Sequence, residues 1–207
     1  MIEYKKKILS EANAKMIKKL FPELPVLKGE SVTLRPLTLD DADGLSELTS
    51  CEEVYRYLPT FLFEKKYDDA HEVINRLYDE CLEKSLILGV FTGDSFCGLV
   101  ELYGYRAAVR KISLGQRLLP QYHGKGIAPE TLDLIIDYIF NEIGIKLLTT
   151  SAMPDNKASE GSLKKQGFKR IARSVPENWG HPLPTLADKW IMTASDYHKL
   201  CNVQADK

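Results

Sequence analysis

The chain has 207 residues, 44% of them hydrophobic and 28% charged, and it carries a net charge of −1. That is enough to bury a core in one domain plus an extension, and a near-neutral chain offers no global field to draw in nucleic acid or an anionic membrane. Cys51, Cys81, Cys97 and Cys201 form no C-x-x-C and no short cluster with histidine, so neither a metal site nor a disulfide framework is expected and the thiols fit a reducing cytoplasm.

In residues 1–20, Leu9, Ala12, Met16 and Leu20 recur at helical spacing among lysines. This reads as a basic amphipathic helix, docked on its own domain, on a sister subunit of a homodimer, or on a membrane surface. No stretch approaches the ~18 apolar residues that span a bilayer, and Lys5, Lys6 and Lys7 are followed by no signal-peptide core. Pro22 and Pro25 end the helix, so residues 1–28 read as helix and linker, residues 29–194 as the main domain and residues 195–207 as a tail. Residues 31–37 form a strand with Val32 and Leu34 on one face, and Thr38 or Asp40 caps a helix running to about Ser50. A second helix covers about residues 67–83, with Val73, Ile74, Leu77 and Tyr78 on one face. Three strands follow as a meander: residues 86–91, a turn at Thr92-Gly93-Asp94-Ser95, residues 96–103, and residues 109–119. Helix, strand, helix and strand come next, ending in a last strand near residues 185–192. The pattern predicts an α/β (α+β) domain: a mixed, mostly antiparallel twisted sheet of six or seven strands, flanked by helices on both faces.

The junction between the third meander strand and the next helix bears the chemistry. Leu132, Ile135, Ile136, Ile139, Phe140 and Ile143 mark one face of that helix, Pro129 stands in its first turn, Glu130 and Asp133 suit its positive end, and Gly144 is placed to stop it. Before it runs Gln121-Tyr122-His123-Gly124-Lys125-Gly126. Two glycines ahead of a helix N-terminus let backbone N–H groups approach a phosphate, and Lys125 adds charge; a tight turn without a ligand satisfies the same pattern. Gly126 is followed by Ile127 and Ala128, and position 129 is proline, so the turn is neither a P-loop nor a dinucleotide fingerprint.

Gln121, Gly124 and Gly126 match the Arg/Gln-x-x-Gly-x-Gly/Ala pyrophosphate loop, and here the sequence resembles the GNAT superfamily of N-acetyltransferases. The opening Val32-Thr33-Leu34-Arg35-Pro36-Leu37 is similar to the family's first strand. Gly115-x-x-Leu118-x-Pro120, Asn156-x-x-Ser159 and Lys165-Gln166-Gly167-Phe168 resemble the branch that acetylates ribosomal-protein N-termini; the likeness covers about residues 30–192. The resemblance implies an enzyme that uses acetyl-CoA and no metal, and moves an acetyl group from thioester to primary amine by direct attack. It implies that the pantetheine arm inserts between splayed strands near residues 114–119 and 146–151, bonded by the backbone at Leu118 and Leu119. Gln121, His123, Gly124, Lys125, Gly126, Ile127 and Ala128 would hold the pyrophosphate. Asn156 would reach the pantetheine, cap the next helix, or do both.

Many members of the family place a tyrosine acid seven residues past that asparagine, where this chain has Leu163. The ribosomal branch places a serine three residues past it. This is Ser159, a candidate donor to the leaving thiolate that also suits the first turn of a helix. The branch's strand glutamate falls on Ser113, so the base is sought at Glu101 in the neighbouring strand or at Glu177 after Phe168, with His123 as a third option. Trp179-Gly180-His181-Pro182-Leu183-Pro184 and the aromatics Tyr55, Tyr57 and Phe61 are candidate walls of an acceptor cleft, and equally candidate core. The acceptor implied is a peptide or protein N-terminus, with a small amine (amino acid, polyamine or aminoglycoside) as the alternative. A CoA-binding sensor or scaffold with little turnover is the rival of another class. A cleft filled by Trp179 or Tyr103 favours that rival, and glutamates near the reacting thioester favour the enzyme.

Overall fold

A continuous apolar run over residues 86–91, buried on both faces, builds the centre of an eight-stranded sheet. A computed structural model describes residues 20–21 and 23–205, so the expected helix of residues 1–20 lies, but for Leu20, outside the described residues. Strand β3 (Ser85–Thr92) turns through Gly93, at φ 55°, into β4 (Ser95–Arg106). Glycine takes that left-handed backbone without a Cβ penalty, so Thr92 and Ser95 pair across a two-residue turn. Strand β5 (Lys111–Leu118) runs antiparallel to β4, with Glu101 opposite Gly115 and Leu99 opposite Arg117. On the other flank β2 (Thr33–Arg35) pairs with β3, and β1 (Leu27–Lys28) with β2.

Strand β6 (Leu147–Ala152) pairs parallel with β5, but only from Lys111–Leu147 to Ser113–Thr149. Strands β7 (Lys169–Glu177) and β8 (Thr185–Thr193) complete the order β1-β2-β3-β4-β5-β6-β8-β7. The count exceeds the expected six or seven because β1, two residues long, is too short for any periodicity to reveal it.

Parallel neighbours need a crossover. Here it is the helix α4 (Ile127–Asp137), which widens into a π-turn over Tyr138–Glu142, where Ile143 N–H reaches back to Tyr138 O at 3.1 Å. Gly144, at φ 72°, ends it as expected. Ile135, Ile139 and Phe140 are buried against the sheet with Ile112, Leu114 and Leu118 of β5. The opposite face of β3 and β4 is covered by α1 (Ala42–Ser50) and α3 (Ala70–Arg76), through Leu45, Leu48, Val73, Ile74, Ile87 and Leu99. Between those helices lies the short α2 (Glu52–Tyr55).

Local bonds set the ends of these helices. Thr38, not Asp40, caps the 3₁₀ turn Leu39–Asp41 that leads into α1, and Asp41 is the N-cap of α1 itself: the Thr38 N–H donates to Asp41 Oδ2 at 2.7 Å, and Arg35 forks the same carboxylate with two bonds of 2.8 Å. Burial pushes Asp41 up, but the Arg35 and Thr38 hydrogen bonds outweigh it and hold the carboxyl below its usual range. The second helix starts at Ala70 rather than Tyr67 because Asp69 caps it, accepting the His71 N–H at 3.0 Å; its last turn, Leu77–Cys81, is π. Helix α5 spans Lys157–Lys165. The segment expected to be a tail is instead the helix α6 (Ala194–Ala205), capped by Thr193, whose Oγ1 accepts the Asp196 N–H at 3.0 Å. No described helix is long and apolar enough to cross a membrane.

Candidate active site

Past Ser113 and Thr149 the pairing of β5 with β6 stops and the two strands part. A 2.9 Å hydrogen bond joins the Ser113 and Thr149 hydroxyls at that last rung. Leu119 N–H donates to Cys97 O of β4 at 2.9 Å, so by alternation the odd-numbered amides of β5 serve β4, while those of Gln116 and Leu118 face the gap. Of the two leucines proposed to bind the pantetheine, the one with a gap-facing N–H is therefore Leu118. Its carbonyl lies 3.1 Å from His123 Nε2, which ties the imidazole back onto the strand.

The chain then makes a 3₁₀ turn over Pro120–Tyr122, passes His123 in extended conformation, and enters α4 through Gly124 (φ 74°) and Gly126 (φ 82°). A Cβ built on either glycine meets nothing within 4 Å. The left-handed backbone requires glycine here, and the space outside the turn is open. The N–H groups of the first helical turn, around Ile127 and Ala128, have no intrahelical partners and stand at the positive end of the helix dipole. Lys125 is exposed, with its ammonium 5.6 Å from the Tyr122 ring, and Gln121 donates to Glu47 of α1 at 2.8 Å.

On the sheet face opposite α4 lies a cavity of about 1170 Å³. Its floor is made by residues of one parity, Glu101 and Tyr103 of β4 and Lys111, Ser113, Gly115 and Arg117 of β5, continued by Thr149, Ser151, Lys189 and Ile191. One wall is residues 57–63, the other Pro176, Glu177, Asn178 and Trp179. The walls are tied together: Thr60 N–H donates to Trp179 O at 2.8 Å, and a side chain at Gly180 (φ 83°) would run into Thr60.

The deepest part of the floor is a cluster of charges. Arg117 Nε and Nη2 lie 2.6 and 2.7 Å from the two oxygens of Glu64, and Nη1 donates to Glu101 Oε2 at 3.1 Å. Glu64 also accepts from Tyr55 Oη at 3.1 Å. Burial works against the Arg117 charge, but the charges of Glu64 and Glu101 more than reverse this and hold the guanidinium protonated. Burial raises the Glu101 pKa, Arg117 opposes the shift, and the net direction is upward. Burial, with Glu101 and Glu177 nearby, pushes Tyr103 to about 12.

Of the candidate acid–base residues, Glu101 and Glu177 share this cavity. Glu177 accepts from Trp179 Nε1 at 3.1 Å and is ion-paired with Lys189, which donates to Ser151 Oγ at 3.0 Å. Ser159 and Asn156 stand elsewhere, at the start of α5, where Asn156 Oδ1 accepts the Ser159 N–H at 3.0 Å; neither lines the cavity. Leu163, at the family's tyrosine position, is core. Arg117 and Glu64 belong to no motif in the sequence. Arg117 left one readable trace, a charge between Leu114 and Leu118 in a buried strand; Glu64, in a loop, left none.

A sheet that parts at one parallel rung, with a glycine turn and free helix N–H groups on one side and a carboxylate-bearing cavity on the other, is the layout of an acyl-CoA-dependent acyltransferase. The turn offers open donors for a pyrophosphate and the gap offers unpaired strand amides for a pantetheine arm, so the chain fits the cosubstrate. It belongs to the GNAT acetyltransferases: the family profile "Acetyltransferase (GNAT) domain" matches residues 31–169. It is 31% identical over 157 residues to the Bacillus subtilis protein named "Probable N-acetyltransferase YjcK", covering 72% of this chain and 87% of that one. It is 29% identical over 142 residues to the spermidine N(1)-acetyltransferase of Escherichia coli K12, covering 67% and 73%. Its fold matches Mycobacterium smegmatis RimJ in complex with CoA-disulfide at a TM-score of 0.73 and 18% identity, covering 89% of this chain and 96% of RimJ. The protein is thus an acetyl-CoA-dependent N-acetyltransferase.

Replacing Arg117 with methionine leaves two buried carboxylates without their cation. The expected loss is about 3–5 kcal/mol at neutral pH, read as a lower urea midpoint. The loss should shrink in mild acid, where Glu101, whose folded pKa is raised, takes up a proton and no longer needs a counterion.

Proposed function

We propose that this enzyme acetylates the N-terminal amine of a peptide or protein, with Glu101 as the base. The observation that carries the acceptor assignment is the charge of the cavity. Lys65, Lys66, Lys84, Lys111, Arg117 and Lys189 line it against Glu80, Glu101 and Glu177, and with Glu64 buried beneath on Arg117 the cations still outnumber the carboxylates. A polyamine brings several positive charges and is repelled by such a surface; a peptide amine brings one and a chain of carbonyls. The same field lowers the pKa of a bound amine and favours its neutral, attacking form. The lips add apolar contact: Phe61 is 65% and Ile171 61% exposed at the cavity edge. Tyr103 and Trp179 line the cavity without filling it, which supports turnover over a sensing role.

Bound acetyl-CoA supplies the thioester carbonyl. Gly124, Lys125, Gly126, Ile127 and Ala128 hold its pyrophosphate in this reading, flanked by Gln121 and His123, and Leu118 N–H bonds the pantetheine arm. Glu101 takes the proton of the ammonium, directly or through water, from its place opposite Gly115 near the rung where β5 and β6 part. Glu177, held by Lys189 and Trp179, orients the acceptor. Ser159, in the first turn of α5, is the hydroxyl assigned to the departing sulfur.

Thiol release from acetyl-CoA is the decisive assay. Short peptides with free N-termini are expected to turn over, and spermidine to give no more than background; the reverse order would overturn the acceptor assignment. Gly124→Val fills the open side of the turn and strains a left-handed backbone. It should weaken CoA binding by tenfold or more (~1.4 kcal/mol) in a calorimetric titration, with the fold kept by circular dichroism. Glu101 works only as the carboxylate, so kcat should fall as pH drops through its raised pKa, above the usual glutamate value of about 4.3. Glu101→Gln should lower kcat by about 10²–10⁴ and remove that acid limb from the pH–rate profile.

A further inference from the structure

Among the described residues, two cations of the cavity have side chains without a hydrogen-bond or ion-pair partner, Lys84 and Lys111, and of these only Lys111 is withdrawn from solvent. Lys65 donates to Thr49 O at 2.7 Å, Lys66 pairs with Glu80, Arg117 with Glu64 and Glu101, and Lys189 with Glu177. Lys84 is exposed at the rim. Lys111 opens β5 on the cavity face, half-buried, and makes no side-chain hydrogen bond or ion pair among the described residues.

Its neighbours add to the imbalance. Arg106 is its cross-strand partner at the end of β4, and like charges directly opposite one another repel. Burial, then Arg106 and Lys189, push the ammonium below the usual lysine value, with Glu177 alone opposing them. The three carboxylates of the cavity, Glu80, Glu101 and Glu177, are already engaged by other cations. A half-buried charge without a counterion is a cost that an arriving anion relieves.

Building on the acceptor reading above, we infer that Lys111, with Lys189 beside it, forms an anion subsite that takes a carboxylate carried by the acceptor a few bonds from its amine. A lysine brings three donors and a full charge, and a carboxylate answers both. Lys111 and Gly115, which faces Glu101, stand four residues apart on β5, about 13 Å at ~3.3 Å per residue. The four-carbon stem of a lysine is long and flexible enough to close much of that span, leaving the length of one or two acceptor residues. The carboxylate has two sources, an acidic side chain at the start of a peptide or the α-carboxylate of a free amino acid.

Acetylated products test this without turnover. Calorimetric titration of the CoA-loaded protein with N-acetyl-Asp-Ala-amide and N-acetyl-Asn-Ala-amide compares a side-chain carboxylate with its isostere. N-acetylalanine and its amide do the same for the α-carboxylate. In one pair the acid is expected to bind about tenfold tighter than the amide, and which pair it is names the source. Lys111→Met, which keeps the length of the side chain, should abolish the difference, and Lys111→Arg should restore it. Equal affinities within both pairs, no binding by any of the four, or a preference that survives Lys111→Met would each overturn the subsite. An acid preference without thiol release from any acceptor would instead sink the acceptor reading and leave the subsite standing.

Discussion

Arg117 carries a guanidinium at the bottom of the acceptor cavity with its side chain only 2% exposed. Taking a charge that far out of water costs several kcal/mol unless it is answered at close range, and the answer comes from two places remote in the chain. Glu64, between α2 and α3, meets it with both oxygens, and Glu101 meets it from the neighbouring strand. The segment that carries Glu64 has no place in the sheet. It is held over the floor by this fork, by the Tyr55–Glu64 hydrogen bond and by Thr60 on Trp179 O. The cavity has its wall because the charge below needs a counterion.

The same cluster divides two carboxylates into different roles. Glu64 is 1% exposed and spends both oxygens on Arg117. Glu101 has a single bond to the guanidinium and keeps a side toward the cavity. Burial raises its pKa and the guanidinium restrains the rise, so it remains a stronger base than a solvated glutamate and can still ionise. Tyr103, pushed to about 12, stays protonated beside it and can donate a hydrogen bond.

Much of this was legible from local signals. The apolar face of α4, the glycines at 124, 126 and 144, and the turn at Gly93 are short-range patterns, and the backbone angles at these four glycines are all left-handed. Glu101 is legible as a lone carboxylate in the strand beside that of Ser113, where the family resemblance leads one to look for a glutamate. What escaped reading depends on distance along the chain. The partner of Arg117 lies 53 residues away in a loop, and nothing near Glu64 marks it. The vacancy around Lys111 is a property of three strands and a wall together. β1 and α6 escaped for a different reason: two residues have no period, and the cap of α6 ends in aspartate where glutamate or glutamine is the usual signal.

Strand β5 does three jobs at once, and its register decides whether any is done. Ile112, Leu114 and Leu118 face the core under α4; Ser113, Gly115 and Arg117 face the cavity; the amides of Gln116 and Leu118 face the gap. A slip of one residue would exchange the two faces, placing Arg117 among leucines and a leucine opposite Glu101. Leucines against β4 would resist that slip weakly, since apolar contact has no direction. A guanidinium fixed by two carboxylates resists it strongly, because the wrong register strands all three charges. The ion cluster that forms the wall and tunes the base therefore also holds the strand in the one alignment in which its amides face the gap and its glutamate partner faces the acceptor.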